Sequence, residues 1–133
     1  MDNTMSFYTD VKDFHIAFGQ RVGETPELPD SLERTLRMRL LAEEMYEYTV
    51  AETENDLVEV ADALADIVYI ACGTAVAYGI PLDMIFKEVH RSNMAKLVDG
   101  KPLYREDGKV LKPEGWTAPD IKTILDTYRD YNA

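Results

Sequence analysis

The chain has 133 residues, 46% of them apolar, which is the size and composition of one globular domain and too apolar for a disordered segment. Its 25 acidic residues against 14 basic ones give a formal charge of -11, a field that repels nucleic acids and anionic membranes and excludes both as expected partners. Cys72 is the single cysteine, so no intramolecular disulfide forms, and the polar start carries no apolar signal core. The longest apolar run, 67–77, falls short of the roughly 20 residues that span a bilayer, so a soluble cytoplasmic protein is expected.

A first helix is predicted over 8–20, with Val11, Phe14 and Phe18 on one side; Gly19 and Gly23 weaken its end, and Pro26 and Pro29 impose an extended link. Asp30 or Ser31 can cap a second helix, 31–52, and Asn55 or Asp56 a third that ends at Gly79. Pro81, as the first residue of a fourth helix over 81–97, stops the third. Residues 98–133 form a tail: a turn-rich loop or small hairpin with several glycines and prolines and Trp116, then a short helix capped within 117–120 and ending near Tyr131. With no strand alternation, repeat or linker, the prediction is an all-α bundle of four to five helices in one domain over 1–133. These helices are too few and too apolar for a monomer to cover, so a homodimer or homotetramer is expected.

Six carboxylates lie where such helices place core residues: Glu43, Glu44 and Glu47 on the second, Glu59, Asp62 and Asp66 on the third. At about 100° per residue, Leu36, Leu40, Glu43, Glu47 and Ala51 share one face of the second helix, with Glu44 near its edge. On the third helix Leu57, Val60, Ala61, Leu64, Ile67, Val68, Ala71 and Ala75 predict burial nearly all round, leaving one polar strip of Glu59, Asp62, Asp66, Tyr69 and Gly73. Unpaired buried carboxylates are costly, and like charges in one site push each other toward protonation. A divalent cation such as Mg²⁺, with Mn²⁺ as a substitute, removes both problems, and it favours carboxylate, phosphate and water ligands. Glu59 also suits the dipole of a helix start. Asn93 and Lys96 continue the apolar face of the fourth helix and are placed to clamp phosphate oxygens or to serve that helix's C-terminus.

The run from Glu43-Glu44 through Glu47, followed by Asp62-Ala-Leu-Ala-Asp66-Ile-Val-Tyr69, resembles the all-α nucleoside triphosphate pyrophosphohydrolases of the MazG-like superfamily. The segments from His90 to Lys96, from Asp107 to Trp116 and from Phe14 to Phe18 bring it nearest to the small MazG-like proteins that include a deinococcal dUTPase-like member. The resemblance implies an E-x-x-E motif and an E-x-x-D motif holding Mg²⁺, and hydrolysis of a nucleoside triphosphate to monophosphate and pyrophosphate, with dUTP a candidate and nucleotide-pool sanitising a candidate role. It also implies a dimer or higher oligomer. By that resemblance Glu44, Glu47 and Asp66 are metal ligands; Ala63 stands where a glutamate is expected, and Asp62 takes its place as a fourth ligand with Glu59 as an outer-shell group. Glu43 or Glu44, whichever is not a ligand, orients or deprotonates the attacking water. Asn93 and Lys96 hold phosphate oxygens, and Tyr69 and Trp116 face the base or sugar, packing being the other role open to Trp116.

Two further readings compete. Phosphoribosyl-ATP pyrophosphohydrolase shares the expected fold and acid motifs, and the N-terminal and tail segments weigh against it. A non-enzymatic helical protein gripping a basic partner would leave Asp62 and Asp66 exposed and metal-independent. A di-iron carboxylate bundle is excluded, because neither His15 nor His90 follows a glutamate by three residues.

Overall fold

The structure is a computed structural model and describes residues 5–132. Five helices follow in order: α1 (Phe7–Ala17), α2 (Ser31–Thr53), α3 (Leu57–Tyr78), α4 (Leu82–Met94) and α5 (Ile121–Asn132). The all-α bundle expected from the sequence is what forms. Each boundary has a local cause. Ser6 caps α1 reciprocally with Thr9, and α1 stops at Phe18 because Gly19 takes a left-handed backbone, three residues before the expected end. Asp30 accepts the Glu33 N–H and Asp56 the Glu59 N–H, so these two aspartates, not Ser31 or Asn55, cap α2 and α3.

At the far end of α3, Gly79 adopts φ 69° and returns its N–H to the last helical carbonyls. The link between α1 and α2 wraps over this end: Gly23 N–H bonds the Val76 carbonyl, Glu27 N–H bonds that of Tyr78, and the Arg21 Nε–H bonds that of Ala77. A Cβ on Gly79 would fall on the Thr25 carbonyl, so the crossing requires glycine.

α3 packs along α2 on one side and α1 on the other. The core is small: Val11, Cys72 and Val76, flanked by Tyr8, Val22 and Leu82. Here two expectations are corrected. α3 is not buried all round: Leu57 and Val58 in its first turn remain 80% and 75% exposed, and Leu64 and Val68 are exposed further along it. α3 is also long and apolar enough to cross a membrane by length and composition, unlike the shorter run read from the sequence, although Asp62 and Asp66 interrupt it and its C-terminal half lies in the core.

α4 is shorter than predicted, ending at Met94, so Asn93 occupies its last turn and Lys96 lies beyond it. Pro81 stands just before the helix, at the N-cap, rather than as its first helical residue. The tail after α4 contains two isolated antiparallel bridges, Val98 with Lys101 and Tyr104 with Val110. It is anchored back on α4 by the Trp116 indole N–H, which donates to the Ser92 carbonyl at 2.6 Å, and by Asp120 N–H, which donates to Glu88 at 2.8 Å. Arg91 and that backbone N–H together hold the Glu88 carboxyl down at about 2.

Candidate metal centre

The seam between α2 and α3 carries the chemistry. On α2 its centre line runs through Arg37, Glu44 and Ala51, of which Arg37 and Ala51 are buried and Glu44 half-buried. The predicted stripe holds in part: Ala51 is buried and Glu47 joins the cluster, but Leu36 and Glu43 are exposed, and Arg37 and Glu44 turn toward α3 in their place. The cause is Arg37, a charged residue that hydropathy assigns to solvent but that is only 5% exposed here.

Arg37 was missed by the sequence reading, and it sets the contact between the two helices. Its Nε–H donates to Thr74 Oγ1 and its Nη2 to the Ile70 carbonyl, both at 3.2 Å. Among the described residues it forms no ion pair, and burial lowers its pKa, with Glu33 opposing that shift. Gly73 makes room for it: a Cβ there would strike the guanidinium and come within 3.0 Å of the buried His15 Nε2. His15 Nδ1 lies 2.8 Å from the Arg21 carbonyl, the geometry of an Nδ1–H donor. The glycine in the polar strip was the one visible signal of this close approach.

Two turns along the same seam, Glu44, Glu47 and Asp66 bring one carboxylate oxygen each within 4.8 Å of one another. Glu44 and Glu47 are three residues apart on α2, and Asp66 faces them from α3. The Glu44 Oε2 is buried and has no hydrogen-bond partner. Burial first, then hydrogen bonding to Glu47 and the charges of Glu47, Asp66 and Asp62, push the Glu44 carboxyl up to about 7. Asp66 is raised as well, by burial and by Asp62 and Glu47, with a hydrogen bond from Glu44 opposing. A buried carboxylate oxygen without a hydrogen-bond partner, beside two further carboxylates, fits a divalent cation, and three oxygen donors at this spacing can coordinate one.

Of the remaining predicted residues, Asp62 acts on this triad by its charge, whereas Asn93, Lys96 and Trp116 belong to the end of α4 and the tail. Asp62 is exposed and outside the group of three, yet close enough for its charge to act on both Glu44 and Asp66. Ala63 is buried, a packing position. Glu43 and Glu59 are exposed. Tyr69, one turn from Asp66, meets Phe14 edge-on with ring centres 5.7 Å apart. Asn93, in the last turn of α4, and Lys96, just beyond it, contact each other, Lys96 Nζ to Asn93 Oδ1 at 3.1 Å, and the main helical neighbour of α4 is α5. Trp116 is half-buried against Ser92, with Lys96 and Lys112 over its ring at 5.6 and 5.0 Å.

The crowding has a measurable consequence in the metal-free protein. Glu44 has a folded pKa above its ordinary 4.5, so folding takes up a proton between pH 4.5 and about 7. Stability therefore falls as pH rises through that window and levels off above it. Thermal melts of metal-free wild type and Glu44→Gln from pH 4 to 8 should diverge with this sign, the variant gaining relative to wild type. A difference that is flat with pH would show that Glu44 is not under this strain.

No curated protein matches the chain. A family model does: that of phosphoribosyl-ATP pyrophosphohydrolase, over residues 11–93, more than half of the length. The matched span contains Glu44, Glu47, Asp62, Asp66 and Asn93 and ends before Lys96 and Trp116. This overturns the resemblance to the deinococcal dUTPase-like MazG proteins, which rested on the short segments Phe14–Phe18, His90–Lys96 and Asp107–Trp116. The acid motifs are common to both groups and did not separate them. With its five-helix body and its carboxylate seam, the chain belongs to the phosphoribosyl-ATP pyrophosphohydrolase family.

Proposed function

We propose that this protein is a Mg²⁺-dependent pyrophosphohydrolase that cleaves phosphoribosyl-ATP between its α and β phosphates, releasing pyrophosphate. The observation that carries this reading is the buried, partnerless Glu44 oxygen beside Glu47 and Asp66 in a chain of this family. Glu44, Glu47 and Asp66 would hold the ion, with Asp62 beside them and Glu59 further out. A bound Mg²⁺, or Mn²⁺ in its place, would supply charge neutralisation for the triphosphate and acidify a bound water.

The chain's own groups do the rest. Glu43 points away from the seam, so orienting the attacking water falls to the carboxylates that face it, Glu44 among them. Asn93 and Lys96 hold phosphate oxygens, reaching the triad from a second copy because α4 leans on α5 rather than on α2. A homodimer or homotetramer also covers apolar side chains that one copy leaves bare, among them Leu32, Leu57, Val58 and Phe86.

The test is a turnover panel of phosphoribosyl-ATP, ATP and the common nucleoside and deoxynucleoside triphosphates, dUTP included, with pyrophosphate and orthophosphate assayed separately. Pyrophosphate from phosphoribosyl-ATP, with the other substrates much slower and all turnover lost in EDTA, is the expected result. Orthophosphate as the product, or turnover indifferent to EDTA, would rule the mechanism out.

A further inference from the structure

Arg37 and Gly73 are each costly where they stand, and they meet. An arginine buried without an ion pair among the described residues gives up its hydration with no opposite charge in return. A glycine in the interior of α3 weakens that helix relative to alanine. Two apolar side chains would pack the same seam at less cost, so the pair serves something other than stability.

What the pair achieves is direction. The Arg37 Nε–H donates to Thr74 Oγ1 and its Nη2 to the Ile70 carbonyl, both at 3.2 Å, and the Thr74 hydroxyl itself donates to that carbonyl at 3.0 Å. These three bonds close a ring between one side chain of α2 and one turn of α3. Gly73 lies within that turn, where a Cβ would strike the guanidinium, and the buried His15 of α1 approaches the same glycine. Apolar contacts are non-directional and would let α2 rotate or slide by a fraction of a turn; a fork of hydrogen bonds onto a helix carbonyl holds one orientation.

The ring is in register with the acidic centre. Seven residues separate Arg37 from Glu44 on α2 and eight separate Asp66 from Thr74 on α3, so the two contacts lie two turns apart along both helices, roughly 10–12 Å. Arg37 and Glu44 share one face of α2, and a rotation that released the first would swing the second away from Asp66. The link is not one of charge: burial and the neighbouring carboxylates shift Glu44 and Asp66, and Arg37 is not among the groups that do.

We propose that Arg37 is a positioning residue for the metal centre: seated on Gly73 and forked onto Ile70 and Thr74, it fixes the rotation of α2 at which the Glu44, Glu47 and Asp66 oxygens converge on one divalent cation. The proposal rests on the metal-dependent reading above and adds the group that aligns the ligands without touching the ion.

Arg37→Met separates this role from packing. Methionine fills a similar length, and Thr74 keeps its bond to the Ile70 carbonyl, so no polar group is orphaned. The melting temperature of the metal-free full chain should hold or rise. Its affinity for Mn²⁺, read from the electron paramagnetic resonance signal of the free ion, should fall about 10–100-fold, the range for losing a group that orients metal ligands. Loss of a positive charge two turns from the acids would by itself strengthen cation binding, so a fall can come only from geometry. Arg37→Lys should not restore the affinity, because an ammonium lacks the planar fork. An Arg37→Met protein as stable as wild type that binds Mn²⁺ with wild-type affinity would overturn the proposal. Should Arg37→Met melt lower or fail to fold, a pair on α3 decides. Thr74→Ser, which keeps the hydroxyl, should bind Mn²⁺ as wild type does and Thr74→Val more weakly; equal affinities in the two would overturn the assignment. A wild-type chain that binds no Mn²⁺ would remove the metal centre itself, and the positioning role with it.

Discussion

Replacing Asp66 with asparagine lowers pyrophosphate release by roughly 10³-fold or more at saturating Mg²⁺, with no loss of thermal stability. The argument is electrostatic. Asp66 is the one member of the carboxylate triad on α3, so removing its charge leaves only the Glu44 and Glu47 pair on α2. A site that depends on three anions to draw a cation and position a triphosphate would lose both functions together. The fold is not at risk, because burial and the charges of Asp62 and Glu47 already penalise the ionised form of Asp66. Asparagine keeps the shape and relieves that repulsion, so the melting temperature should hold or rise. Glu59→Gln is the control: Glu59 is exposed and outside the triad, and a loss of no more than about tenfold is expected. If Asp66→Asn stays within tenfold of wild type while Glu59→Gln is inactive, the ligands are the Glu59 to Asp62 run instead, and the centre has been placed one turn too far along α3.

Replacing Gly79 with alanine destabilises the protein by about 3 kcal/mol, a drop on the order of 10 °C in melting temperature. Two costs combine. The residue holds φ 69°, a left-handed backbone that costs an L residue roughly 1–2 kcal/mol. The new methyl group would also fall on the backbone carbonyl of Thr25, where no rotamer change can relieve it, and overpacking of this kind costs about 1–3 kcal/mol. The link that crosses here is tied to the end of α3 by the Gly23 and Glu27 backbone hydrogen bonds, so the strain spreads to the start of α2. Gly108 and Gly115 also have positive φ, but a Cβ on either meets open space, so alanine there should cost only the backbone term. Thermal melts of the three variants separate the two contributions. A Gly79→Ala protein that melts within a few degrees of Gly108→Ala would show that the crossing gives way easily.

Much of the molecule was legible in the sequence because its causes are local. Asp30 and Asp56 were read as possible caps, and Gly79 with Pro81 as the break between α3 and α4, since each acts within one turn of backbone. The glutamates of α2 and the aspartates of α3 were recognised as unusual from spacing alone. Family membership was less legible. Short segments, Phe14–Phe18 and His90–Lys96 as well as Asp107–Trp116 in the tail, pulled the resemblance toward the dUTPase-like proteins, whereas the family is decided by the pattern over the whole span 11–93.

The amino-acid sequence by itself determined the order of the helices, the candidates for their caps, the break at Gly79 and the presence of an acidic seam, because helical periodicity and capping are properties of neighbouring residues. Helical periodicity left open which acids meet; only the resemblance had grouped Glu44 and Glu47 with Asp66, and the tertiary structure brings those three together. Glu44 turns inward and Glu43 outward because the buried Arg37, lodged against Gly73, fixes how α2 is rotated against α3. Likewise the first turn of α3, Leu57 and Val58, stands exposed although its residues are apolar. Rotation and coverage are set by contacts between residues far apart in the chain, here 37 with 70 and 74, and no local pattern encodes them.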